Sequence, residues 1–101
     1  MTFKNRRSPK NPVTEADTLK QVRQYLTLKN WYIYRNHQSL GSFKGLSDLT
    51  GIKGGRVIWV EIKRPGGKLS DYQKMFKDNI QMHGGEYYVV DSLDAIMALE
   101  P

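Results

Sequence analysis

Leu19, Val22 and Leu26 recur at helical spacing, so they line one face of a predicted helix. Thr14-Glu15-Ala16-Asp17 supplies its start, with Thr14 as N-cap and acidic residues in the first turn, and the helix runs to about Lys29. Trp31-Tyr32-Ile33-Tyr34-Arg35 is aromatic and β-branched, which predicts a strand whose aromatics pack in the core. Residues 36–47 carry the glycine and serine spacing of a loop. Two strands, 48–53 and 56–63, flank Gly54-Gly55 and read as a tight hairpin. Arg64-Pro65-Gly66-Gly67-Lys68 breaks the second of them. Ser70-Asp71-Tyr72-Gln73 has the form of a capping box, and Tyr72, Met75, Phe76 and Ile80 continue at helical spacing until Gly84-Gly85. Glu86 to Asp91 is a strand, and Ser92 caps a last short helix through Leu99. The order is α-β-β-β-α-β-α. The helix before the fourth strand is long enough for a right-handed crossover, so the third and fourth strands are expected to be parallel. The fold class is α/β, a mixed β-sheet flanked by helices.

The chain has 101 residues, enough for one domain with a modest core. Residues 1–13 hold two prolines and four basic residues and are expected to form a flexible basic arm; residues 14–101 form the domain. The absence of cysteine excludes disulfides, thiolate zinc sites and a cysteine nucleophile. No run has the length of a membrane span, and the first residues lack the apolar core of a signal peptide, so the expected location is the cytoplasm with no membrane partner. The net charge of +6 favours a polyanionic partner such as nucleic acid, with a solvated surface whose lysines serve solubility as the plainer explanation.

The hairpin is where chemistry concentrates. With Gly54-Gly55 as the loop, Lys53 faces Arg56, Ile52 faces Val57, Thr50 faces Trp59 and Asp48 faces Glu61. Opposed residues on one face lie about 4.5–5.5 Å apart. Two carboxylates that close repel unless a cation lies between them, and a divalent metal ion answers that need. Lys63 projects from the same face as Glu61, roughly 6.5 Å further along the strand. The Ile62 carbonyl adds a further oxygen in the plane of the sheet. Hard divalent cations such as Mg²⁺ take oxygen ligands, and phosphodiester hydrolysis needs such an ion, a water nucleophile and charge neutralisation. A bulge at Gly51 would shift this register by one residue.

Each residue also has a plainer explanation. Asp48 alone suits a strand start, and Glu61 with Lys63 suits a cross-strand ion pair. Glu15 favours the helix macrodipole regardless of function, and Gln73 closes a capping box. His37 and His83 have no partner at metal-ligand spacing, and the serines lack a triad. It is the combination that points to a metal site.

This combination resembles the PD-(D/E)xK nuclease superfamily, and most closely its VRR-NUC family in small standalone form. The resemblance covers residues 14–99. It rests on Glu15, Gly45-Leu46-Ser47-Asp48-Leu49, Val60-Glu61-Ile62-Lys63, Leu69-Ser70-Asp71-Tyr72-Gln73 and Gly84-Gly85-Glu86-Tyr87-Tyr88-Val89-Val90. It implies a restriction-endonuclease-like core, metal ligation by Asp48 and Glu61, a catalytic Lys63, and a site completed by Glu15 and Gln73. It further implies Mg²⁺ or Mn²⁺ as cofactor, branched or four-way junction DNA as substrate, and a homodimer. A compact enzyme of this kind suits a phage or prophage acting inside a bacterial host. Ser47 stands where the superfamily name has proline, and the Val-Arg-Arg triplet is absent.

The expectation is therefore a metal-dependent DNA endonuclease. Arg35, Lys44, Lys53 and Lys68 flank the site in sequence and are candidate phosphate contacts. The alternatives are a non-catalytic nucleic-acid-binding module of the same fold and a structural or regulatory protein whose acids form ion pairs.

Overall fold

Residues 13–39 and 41–101 are described by a computed structural model of the chain. The basic segment 1–12 lies outside the described residues. Seven elements follow in the expected order: α1 (Glu15–Leu28), β1 (Tyr32–Arg35), β2 (Leu49–Lys53), β3 (Arg56–Ile62), α2 (Asp71–Met82), β4 (Glu86–Val90) and α3 (Leu93–Leu99).

Local chemistry sets the helix ends. The Thr14 hydroxyl accepts from the Asp17 N–H while the Asp17 carboxylate accepts from the Thr14 N–H, closing a capping box on α1. Ser70 and Gln73 do the same for α2. Asn30 takes φ +72° after α1, and the Trp31 N–H then bonds the Leu26 carbonyl, which turns the chain into β1.

The four strands form one sheet in the order β1-β2-β3-β4. The first two pairings are antiparallel and β3 with β4 is parallel. The hairpin register is the expected one, with Lys53 opposite Arg56, Ile52 opposite Val57 and Thr50 opposite Trp59. Gly51 pairs regularly with Ile58, so it marks no bulge. Its reason is packing: a Cβ there would stand 2.9 Å from Ile33 Cδ1 and 3.1 Å from Ile58 Cγ1.

One sheet face carries Leu49, Ile58, Val60, Ile62 and Val90, which are buried with Val22 and Leu26 of α1, Ile96 of α3 and Trp31. The opposite face carries Trp59, Glu61 and Tyr87, and α2 packs on its β4 side. Because α2 covers only that side, Tyr32 and Tyr34 are exposed, against the expectation that they join the core. Alternation sends Trp31 and Ile33 inward instead. Tyr72 and Met75 of α2 are likewise exposed, and Phe76 alone of its predicted stripe is buried. Among the described residues, no helix is long and apolar enough to cross a membrane.

Candidate active site

Asp48, Glu61, Lys63 and Gln73 come together on the β3 face beneath the start of α2. The ladder between β2 and β3 ends at Leu49 opposite Val60, so Asp48 sits one residue outside β2 rather than inside it. Its side chain still lies on the Glu61 side. Asp48 Oδ2 accepts a 2.7 Å hydrogen bond from the Ile62 N–H. That bond holds the carboxylate across the end of β3.

Glu61 is 3% exposed, and its two oxygens are in different situations. Oε2 accepts from Gln73 Nε2 at 3.0 Å and faces Lys63 Nζ at 3.6 Å. Oε1 is buried and has no hydrogen-bond partner. Burial, followed by the charge of Asp48, pushes the Glu61 carboxyl up to about 8, and Lys63 only partly offsets them. Once Glu61 ionises, above about pH 8, a buried carboxylate oxygen with no donor is costly. Here it adjoins a second carboxylate, so a hard cation fits the donor set better than a neutral ligand would.

Gln73 does two things at once. Its Oε1 accepts from the Ser70 N–H and caps α2, while its Nε2 holds Glu61. The plain capping role and the site role are both present in one amide. Glu15 lies nearby without joining the acid pair: its Oε2 accepts the Arg64 N–H at 3.1 Å, just beyond Lys63. Among the described residues, no three His, Cys, Asp or Glu side chains gather at metal-binding spacing.

The basic candidates divide. Lys44 lies against α2, its Nζ 4.8 Å from the Tyr72 ring centre and 3.4 Å from the Tyr72 hydroxyl. Arg35 pairs with Leu49 beside Asp48 and is exposed. Lys68 is exposed in the turn before α2. Lys53 is not brought to the carboxylates. It sits at the hairpin tip, five residues up the strand from Asp48 or about 17 Å, with its Nζ 5.8 Å from the Trp31 ring centre.

Asn36 and Tyr87 escape sequence reasoning. Asn36 donates its own N–H to the Asp48 carbonyl at 2.8 Å. Its side-chain Nδ2 bonds the Ser47 carbonyl and the Thr50 hydroxyl at 3.0 and 2.8 Å. It therefore fixes the chain on both sides of Asp48. Ser47 is fully buried, and its hydroxyl donates to the Leu49 carbonyl, which secures the turn without proline. Tyr87, opposite Trp59 on the acid face, has a buried hydroxyl without a partner, and burial and then Glu61 and Asp48 raise its pKa. Strand alternation could have flagged Tyr87; an asparagine in a predicted loop carries no such signal.

A VRR-NUC domain model matches residues 6–94. No curated protein matches the chain.

Proposed function

The chain belongs to the VRR-NUC domain family, and from that premise we propose that it is a divalent-metal-dependent DNA endonuclease. Its domain is of the nuclease type, and DNA is the substrate such a domain implies. The observation that carries the metal-dependent reading is Glu61: a buried carboxylate with one oxygen unpartnered, Asp48 beside it, and Lys63 and Gln73 on its other oxygen.

In this proposal Asp48 and Glu61 hold Mg²⁺ or Mn²⁺, and the Ile62 carbonyl is the third protein oxygen. The Ile62 N–H already faces Asp48, and in an extended strand the carbonyl of the same residue leaves on the same edge. The ion, once bound, supplies Lewis acidity toward a phosphodiester. The protein does the rest. Lys63 places a positive charge where a pentavalent phosphorus species gathers negative charge. Gln73 fixes the Glu61 carboxylate against rotation, and Asn36 and the Ile62 N–H fix Asp48. Glu15, tied to the Arg64 amide, holds the segment after Lys63 in place. Arg35, Lys44 and Lys68 supply phosphate contacts near the site, and Lys53 a more distant one.

Branched or four-way junction DNA as preferred substrate, a homodimeric assembly and action in the cytoplasm complete the proposal. These parts rest on the resemblance to standalone junction-cutting members of the family. Incubation with four-way junction, flap and linear duplex DNA, in Mg²⁺, Mn²⁺ or EDTA, tests the whole reading. Cleavage is expected with either ion, strongest on branched DNA, and absent in EDTA. Glu61→Gln and Lys63→Ala should each lower cleavage at least about 100-fold while DNA binding persists. Undiminished cleavage in both variants removes these residues from the mechanism. Sedimentation should give twice the chain mass; a monomer that cuts junctions removes the dimer.

The rival is a binding module that retains the fold without cutting. It gains from the two-acid donor set, since no third acid or histidine joins it among the described residues. Salt-sensitive DNA binding with no cleavage in either metal would favour it.

A further inference from the structure

Large apolar side chains are exposed on one side of the site, and they are contiguous. Phe43 is 69% exposed, Tyr72 52% and Met75 58%, and together they line a groove between the loop at 41–46 and α2. Scattered exposed apolar residues need no explanation, but a joined patch rimmed by polar groups marks a contact surface. The patch is firmly mounted. Phe43 packs edge-on against Phe76, their ring centres 6.0 Å apart, and Phe76 packs in the same way on Tyr87 at 6.1 Å. Gly45 presses its backbone on that of Tyr72 so closely that a Cβ would stand 2.2 Å from the Tyr72 carbonyl oxygen. Tyr72 in turn immediately precedes Gln73, which holds Glu61.

We propose that Phe43 and Tyr72 are a stacking platform for an unpaired base of the DNA strand at the carboxylate site, with Lys44 on its phosphate. The inference rests on the nuclease reading and adds what that reading does not contain, a subsite for a nucleotide outside the duplex. Aromatic faces recognise bases without regard to sequence, because every base has a π-face. A paired base inside a duplex hides both faces in the stack, so only an unpaired or displaced nucleotide can use the rings. Charge complementarity selects a nucleic acid over an apolar protein partner. Lys44 lies at the hydroxyl end of Tyr72, its Nζ 3.4 Å from the hydroxyl and 4.8 Å from the ring centre, and the whole chain carries +6. A phosphate drawn to Lys44 leaves its base beside the two rings, and the platform is one residue from the amide that holds Glu61.

Binding in EDTA tests this without any cleavage. The probes are a labelled single strand of about 15 nucleotides, an abasic strand with the same number of phosphates, and a duplex of equal length. The wild-type chain should bind the intact strand at least about tenfold more tightly than the abasic one. The Phe43→Ala/Tyr72→Ala variant should bind the intact strand as weakly as the wild type binds the abasic strand, and lose less than about twofold on duplex. Phe43→Trp/Tyr72→Phe should retain the preference. Equal affinity of the wild type for intact and abasic strands overturns the proposal, and it does so even if the alanine variant fails to fold. A folded alanine variant that loses nothing, or loses equally on strand and duplex, also overturns it. So does a change of mass in sedimentation with strand discrimination intact, which would assign the patch to a second copy of the chain. A chain that discriminates strands but never cuts keeps this subsite and loses the nuclease reading; a chain that cuts with no dependence on bases does the reverse.

Discussion

Glu61 ties stability to pH in a direction unusual for a carboxylate. In the unfolded chain it ionises near 4.5, whereas in the fold its proton is held to about 8. Between those values the folded state binds more protons, so stability falls as pH rises through that window. The thermal midpoint of the metal-free protein should therefore decline from about pH 5 to about pH 9, and Glu61→Gln should flatten the decline. The same substitution removes a buried charge and should raise the metal-free midpoint above about pH 8, by roughly 4–8 °C for each kcal/mol relieved. Added Mg²⁺ should reverse the trend in the wild type, because the ion competes with the proton, and its stabilisation should be greater at about pH 8 than at about pH 6. Differential scanning fluorimetry across pH, with and without Mg²⁺, measures all of these. Gln73→Glu puts a third carboxylate against Glu61 and should tighten Mn²⁺ binding while destabilising the metal-free protein, whereas Gln73→Ala should loosen Mn²⁺ binding by freeing Glu61, which isothermal titration with Mn²⁺ resolves.

The elements were largely legible because their signals are local. Ser70 and Gln73 announce a helix start three residues apart, and the structure uses both. The Gly54-Gly55 turn fixes pairing by counting, and the ladder follows that count from Lys53 opposite Arg56 as far as Leu49 opposite Val60, one pair short of Asp48 and Glu61. What sequence left hidden depends on which element covers which. Nothing in Tyr32-Ile33-Tyr34 says that α2 stops at the β4 side of the sheet, so the two tyrosines looked like core and are exposed. Nothing in the loop at 36–47 says that Asn36 returns to clasp Asp48. Lys53 looked close in sequence, but strands are long per residue and carry it to the far tip. Two element-level expectations follow. Ser70→Ala should cost about 1 kcal/mol by removing the cap of α2. Gly45→Ala should cost at least about 2 kcal/mol. Its φ is +80°, and its neighbour is backbone that cannot turn aside. Urea unfolding followed by circular dichroism compares them, and a smaller loss at Gly45 would show that the loop yields.

For the molecule as a whole, a basic chain with a nuclease-type domain should bind DNA chiefly through phosphates. Affinity for duplex should fall by about an order of magnitude or more between about 50 and 200 mM salt, with a linear log–log slope. A flat response in a salt titration would assign the charge to solubility alone. Heat should expose another property of this small domain. The amide of Gln73 is spoken for at both ends, by the cap of α2 and by Glu61. Helix ends fray before domains melt, so warming that loosens this first turn would unlatch the glutamate while the sheet remains intact. Catalytic competence should then vanish some degrees below the bulk melting point, giving the enzyme a built-in thermal cut-off.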